Sequence, residues 1–354
     1  MRVALISPLF ESVPPRLYGG TERVVYNLCC GLKKAGIDVT LFASADSNAP
    51  CRVIPVVSES LRLSDPPPFD PHVYNFKMLA TVRKHLSEFD IIHNNHDYWM
   101  LPLTHGSHIP VLTTLHGRLD LPVLPELLPG FPNAHYISIS NSQRKPIPDL
   151  RWTRTIYHGI DLANFKFKEE PGKYLAFLGR IHAEKRPEWA IEIAKKAGIP
   201  LKIAAKIEGQ AGREYFDSFV KPELQNPLIE YVGEIGEHEK SDFLGNALAL
   251  LFPIDWPEPF GLVMVEALAC GTPVLARPYG SVPEILRDGV TGFIRQDISE
   301  LAALVPQIGK LSRKTCHEWA VRHFSVKRMT EDYIHVYRSL SGSPAGVQHR
   351  SDHD

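Results

Sequence analysis

Two glutamates in an otherwise apolar stretch, Glu258 and Glu266 of "EPFGLVMVEALACGTPVLA" (258–276), are the first residues whose placement suggests chemistry. The preceding "ALALLFP" reads as a buried strand, "IDWPEP" as a proline-interrupted loop and "LVMVEALAC" as a helix. Glu258 then lies in the loop, and Glu266 about one and a half turns into the helix. A helix starting beside Gly261 offers the N–H groups of Gly261, Leu262 and Val263 to an anion such as a phosphate. Burying Glu266 unpaired between Val265 and Ala267 would cost several kcal/mol. It must therefore point to solvent or meet polar groups of a ligand.

Three further clusters have the same character. In "FLGRIHAEKRPE" (177–188), Gly179 ends a strand, Arg180 follows at once and Lys185 comes five residues later. The arginine fork and the lysine point charge could grip two phosphates, although a solvated basic loop would look the same. In "YGGTERVV", Gly19 and Gly20 precede a helix and permit close backbone approach to a ligand, or serve as simple turn residues. "TTLHG" sets His116 at a strand end, where it is either structural or a hydrogen-bonding partner for a hydroxyl. The polar loop "HNNHDYW" (93–99) contains His93, His96, Asp97 and Tyr98. A structural or substrate-lining role is preferred there to metal ligation. Neither GxGxxG nor GxxxxGK[ST] occurs, which removes support for dinucleotide-dependent hydride transfer and for P-loop chemistry.

The elements that position these residues follow an α/β rhythm of short apolar runs alternating with helical periodicity. In the first half the strands are 3–7, 38–44, 90–93, 111–117 and 135–140. A helix carries Val24, Leu28 and Leu32 on one face, with Thr21 placed to cap it and Gly36 to end it. The proline- and serine-rich segment 45–70 reads as a surface loop. A second series begins at Lys173 with "KYLAFLGR", an amphipathic helix over 187–198, then "LKIAAKI", "LIEYVG", "ALALLFP" and "TPVLA" as strands. The expected join is 157–173. Two successive open, Rossmann-like sheets result, and ligands of such sheets bind outside the carboxyl ends of the strands. A last helix spans 326–340, followed by a polar tail expected to be disordered.

Composition sets the outer limits. A chain of 354 residues favours two domains, and 44% hydrophobic with 22% charged residues is ordinary for a soluble globular protein. A net charge of −1 without long charge runs leaves no nucleic-acid footprint. Five cysteines without CxxC spacing argue against a disulfide framework and fit a reduced, cytoplasmic setting. "MRVALISPLF" reads as a first buried strand rather than a signal peptide, and no window reaches the length of a membrane span. Weak peripheral membrane contact, which needs only a small patch, stays open.

Taken together, these motifs resemble glycosyltransferase family 4, the retaining, nucleotide-sugar-dependent group with the GT-B fold. "YHGID" is similar to the family's N-G-V-D, with His158 in place of asparagine. "LGRIHAEK" resembles its G-R-x4-K, and "PEPFGLVMVEALACGTPVLARPYGSVPEIL" its E-x7-E block with the G-x-P-V and Pro-Glu that follow. The resemblance implies two Rossmann-like domains facing across a cleft: 1–160 for the acceptor and 161–322 for the nucleotide sugar. The final helix, 323–340, would return to the first domain, with 341–354 as tail.

Carried over residue by residue, Arg180 and Lys185 would neutralise the donor diphosphate, and Glu266 would accept from the ribose hydroxyls. Glu258 would hold the transferred sugar, with Phe260, Gly261 and Leu262 near sugar and phosphate. Gly19 and Gly20 would close on the diphosphate, and His116 would sit near the reacting carbon. The base would lie at the Gly233–Gly236 turn, including Ile235. His96, Asp97 and Tyr98 are candidates on the acceptor side.

The implied activity is retaining, metal-independent and cofactor-free transfer of a sugar from a UDP-, GDP- or ADP-linked donor to a hydroxyl acceptor. Polysaccharide, glycolipid and small-molecule glycoside synthesis all fit. A GT-B sugar-nucleotide epimerase or a non-catalytic nucleotide-sugar-binding protein is the alternative.

Overall fold

The computed structural model describes residues 1–16, 19–62, 64–65, 70 and 72–342. The polar tail beyond 342 and most of "SDPPPFD" lie outside the described residues. The first half forms a seven-stranded parallel sheet. Its strands are β1 (Arg2–Ile6), β2 (Asp38–Ser44), β3 (Arg52–Val57), β4 (Ile91–Asn94), β5 (Val111–Thr114), β6 (His135–Ser138) and β7 (Trp152–Thr155). They run in the order β3-β2-β1-β4-β5-β6-β7. The second half forms a six-stranded parallel sheet of β8 (Tyr174–Arg180), β9 (Leu201–Lys206), β10 (Ile229–Gly233), β11 (Ala247–Phe252), β12 (Val274–Ala276) and β13 (Gly292–Ile294). Its order is β10-β9-β8-β11-β12-β13. Central strands such as β1 and β11 are apolar almost throughout because helices cover both faces of a parallel sheet. In each sheet the winding reverses beside the first strand, at β1/β4 and at β8/β11, which opens a crevice at the carboxyl ends.

The segment 45–70 is not all loop, because it contains β3. Proline in "RVIPVV" is tolerated since β3 is an edge strand, and the ladder shifts register beside Pro55. Edge strands β7, of four residues, and β13, of three, are not among the strands expected from sequence, whereas the remaining edge, β10, is. Thr21 does not cap the first helix. That helix runs Gly20–Lys34 with Gly19 at its N-cap and no side-chain cap, so Thr21 belongs to its first turn.

The C-terminal helix, Val326–Ser341, completes the core of the first sheet. Met329, Tyr333 and Tyr337 pack there with Val25, Leu28 and Leu32. The Tyr337 hydroxyl lies 2.7 Å from His93 Nδ1, and Tyr333 lies 3.0 Å from the Thr114 hydroxyl. Buried His93 is thus held between helix and sheet, a structural role. Two chain crossings join the halves side by side. Ile160 pairs with Ser325, the Ile160 N–H donates to the Phe324 carbonyl at 2.9 Å, and the Asn27 amide donates to the Gly159 carbonyl at 3.1 Å. A Cβ on Gly159 would stand 2.6 Å from the Ser325 carbonyl oxygen, so only glycine admits the crossings at this separation.

Candidate active site

Between the carboxyl ends of the two sheets lies a cleft of about 400 Å³. Gly19, Gly20 and His116 wall it from the first half, and Arg180, Lys185, Ile235, Glu258, Phe260, Gly261, Leu262 and Glu266 from the second. The uncapped start of the Gly20–Lys34 helix therefore faces the start of the Leu262–Ala269 helix, which is also uncapped by any side chain and preceded by Gly261 at φ +80°. Two helix starts without side-chain caps thus meet at one cavity, each with first-turn N–H groups suited to an anion.

Glu266 does not point to solvent. Its side chain is 3% exposed, and Oε1 accepts from the Lys240 ammonium at 2.8 Å. Lys240 reaches it from the Glu237–Gly245 helix and also pairs with Glu237 at 3.0 Å. Burial raises the Glu266 pKa, and the Lys240 charge offsets part of that rise. Oε2 has no hydrogen-bond partner, so a buried acceptor is left open in the wall of the cleft. An open acceptor at that depth is costly unless a ligand hydroxyl completes it. This geometry fits a diol.

At the other end, Lys185 and Glu258 form a largely buried ion pair. The Trp256 indole N–H donates to Glu258 Oε2 at 3.0 Å. Lys185 lies 5.0 Å from the centroid of the Trp256 ring and 5.6 Å from that of Phe252, so aromatic faces flank the ammonium. The loop beneath is tied to its neighbour: the Asp255 N–H donates to the Glu184 carbonyl, and the Asp255 carboxylate lies between Arg186 and Arg277. Burial alone would raise the Asp255 pKa, but the two arginines outweigh it and the net direction is down. Gly280, at φ +60°, supports the loop from behind, where a Cβ would stand 2.2 Å from the Glu258 carbonyl oxygen. Arg180 also walls the cleft and lies 3.3 Å from Glu208.

His116 is neutral, its pKa pushed down to about 3 by burial. Nε2 lies 3.0 Å from Asn95 Oδ1, an acceptor, so Nε2 carries the proton and Nδ1 is the acceptor. Nδ1 is buried without a hydrogen-bond partner. The ring stacks on His158 at 5.2 Å and 17°. His158, which stands where the family pattern has asparagine, is buried against Phe260 and also walls the cleft. Its pKa is lowered well below the ordinary value, mainly by burial and then by His116.

The structure brings the sequence-selected donor-side residues, all but Gly233, into one cavity, and leaves the acceptor-side candidates His96, Asp97 and Tyr98 outside it. Gly233 ends β10 at φ +86° and does not wall the cleft, whereas Ile235 does. Asp97 and Tyr98 line a smaller neighbouring cavity, and His96 turns to Asn75 at 2.7 Å. The sequence reading did not select Arg23, Lys206, Lys240, Glu237 and Trp256, all in the cleft wall. Arg23 and Glu237 approach to 3.6 Å across the halves, and Arg118 meets Glu184 at 2.5 Å. Glu284 accepts from the backbone N–H groups of Asn141 and Ser142 at 2.8 and 2.7 Å, again across the halves. Among the described residues, no group of three or more His, Cys, Asp or Glu could hold a metal ion.

Two family models divide the chain between them. "Glycosyltransferase Family 4" matches residues 18–164 and "Glycosyl transferases group 1" matches residues 161–320. The chain belongs to glycosyltransferase family 4. Among relatives of this family 4 enzyme is a D-inositol 3-phosphate glycosyltransferase of Mycobacterium marinum, 25% identical over 95% of this chain and 84% of that protein. A phosphatidyl-myo-inositol mannosyltransferase of Mycobacterium tuberculosis is 25% identical over 98% and 99%. The GT-B fold is shared with sucrose-phosphate synthase of Thermosynechococcus elongatus, at TM-score 0.79 and 20% identity, covering 97% of this chain and all of that one. It is shared also with Anabaena HepE in complex with UDP and glucose, at TM-score 0.74 and 18% identity, covering 96% of this chain and all of that one. No helix among the described residues is long and apolar enough to cross a membrane.

Proposed function

We propose that this glycosyltransferase moves a sugar from a nucleoside-diphosphate sugar to a hydroxyl acceptor, with retention and without a metal ion. The observation that carries the reading is the pair of glutamates flanking the start of the Leu262–Ala269 helix, each held by its own lysine. Glu266, which walls the cleft and whose Oε2 has no hydrogen-bond partner, takes the ribose diol. The two facing helix starts, with Arg180 and Lys185, receive the diphosphate. Charge that builds on the leaving diphosphate is thereby met by fixed cations and N–H dipoles.

Glu258 takes hydroxyls of the transferred sugar once the diphosphate has drawn Lys185 toward itself. Neutral His116 offers Nδ1 as acceptor to a sugar hydroxyl beside the reacting carbon. The family likeness suggests front-face displacement, with the leaving phosphate taking the acceptor's proton. The donor class is tested by melting the protein with UDP-, GDP- and ADP-sugars. A ligand at 100 times its dissociation constant adds about 2.7 kcal/mol. One base should shift the melting temperature, and its sugar should appear on an acceptor with the anomeric configuration of the donor. Inverted product, or loss of activity on chelation that added Mg²⁺ restores, contradicts the reading.

A further inference from the structure

A second cavity of about 180 Å³ lies in the first half, and Gly117 walls both it and the main cleft. Five leucines line it: Leu115, Leu119, Leu121, Leu124 and Leu128. Its two charged groups are already partnered. The Arg118 guanidinium donates to Asp120 at 2.7 and 2.8 Å and to Glu184 at 2.5 Å. The Asp97 carboxylate accepts from the His116 N–H at 3.3 Å. A charged ligand would have to displace these contacts, whereas an apolar one would replace water on leucine surface.

We propose that this cavity binds an apolar part of the acceptor, an aryl ring or short alkyl chain. The hydroxyl-bearing part of the same molecule then lies at Gly117, next to His116. The inference rests on the transfer reading of the main cleft. The size supports a small body, since an apolar cavity of about 150 Å³ takes a benzene-sized ligand. The opening is accessible, with Leu121 at 42% and Tyr98 at 38% exposure. The volume favours a short apolar body over a long lipid chain, and the partnered charges disfavour an acceptor whose phosphate would enter here.

The test measures binding of methyl, phenyl, hexyl and dodecyl β-D-glucosides by calorimetry. The protein is saturated with whichever of UDP, GDP or ADP raises its melting temperature most. Phenyl and hexyl glucosides should bind at least about tenfold more tightly than methyl glucoside. Leu121→Asp, at an exposed position the fold tolerates, should abolish that advantage while leaving diphosphate affinity unchanged. Equal binding of methyl and phenyl glucosides, or an advantage that survives Leu121→Asp, overturns the assignment. Affinity that keeps rising from hexyl to dodecyl overturns it in favour of an extended lipid groove. If no nucleoside diphosphate binds, the transfer reading fails first, and the inference with it.

Discussion

Replacing Glu266 by glutamine asks whether the buried carboxylate serves a ligand or only Lys240. Glutamine preserves the volume and one carbonyl oxygen, and Lys240 keeps Glu237 at 3.0 Å, so the fold should persist. The loss is the charge on the open acceptor. A hydrogen bond to a charged group contributes about 1.5–3 kcal/mol. One such bond from a ribose hydroxyl to Oε2 corresponds to about 10- to 150-fold in affinity. Calorimetry with a nucleoside diphosphate and its 2′-deoxy and 3′-deoxy forms, on both proteins, gives the coupling directly. Removing the contacted hydroxyl should weaken binding to the wild type by that factor and change binding to Glu266→Gln little. Since the ribose is remote from the reacting carbon, KM should rise with kcat nearly unchanged. Equal losses on both proteins would mean that Glu266 is merely the counter-ion of Lys240, and the donor assignment would fall.

Other substitutions probe the opposite end. Trp256→Phe keeps a ring beside Lys185 and removes the N–H that Glu258 accepts at 3.0 Å, so kcat should fall about tenfold or more with diphosphate affinity intact. Unchanged kcat would deny Glu258 a role in holding the sugar. Lys185→Ala should abolish transfer in a folded protein, and near-wild-type turnover would exclude Lys185 as a diphosphate ligand. Gly280→Ala should lower both activity and melting temperature, by more than about 1 kcal/mol, because a Cβ at φ +60° meets the Glu258 backbone. Wild-type stability there would show that the loop yields freely.

Glu22 predicts a pH dependence of stability. Burial raises its pKa from 4.5 to about 7, so the folded state keeps a proton that the unfolded chain has released. Its contribution is therefore full below pH 4.5 and is lost as pH rises through 7. Glu22→Gln, which mimics the protonated form, should be relatively stabilised at pH 8 by roughly 3 kcal/mol. Parallel melting curves for the two proteins from pH 5 to 8 would refute this.

What was legible in the sequence was whatever departs from its surroundings. Glu266 stands out in an apolar helix, and Arg180, Lys185 and His116 stand at strand ends or in the loops just after them, where the crevice of an open sheet must lie. Lys240 is the contrast. It lies in "GEHEKSDFLG", where nothing distinguishes it from its charged neighbours, and its burial is decided by the Leu262–Ala269 helix, distant in sequence. Trp256 reads as one apolar residue in a proline loop until its N–H is seen at Glu258. His158 looked like a mild departure from a motif, yet it stacks on His116 and walls the cleft. Edge strand β3 was hidden for the opposite reason: proline and serine marked its segment as loop, and only its place at the sheet edge explains why Pro55 is tolerated.

The side-by-side crossings at Gly159 and Ser325 have a consequence for biosynthesis. The first half leaves the ribosome before the second, yet the helix that seals its core, Val326–Ser341, is made only after the whole second sheet. At about 5–20 residues per second, Val25, Leu28, Leu32 and the central strand that carries His93 wait on the order of ten to sixty seconds for Met329, Tyr333 and Tyr337. The second half has its chain complete before the first is sealed, so folding finishes in the reverse of the order of synthesis. The nascent first half is therefore the stretch a cell must shield, and a stop codon before residue 326 would strand an open apolar face rather than trim an ornament.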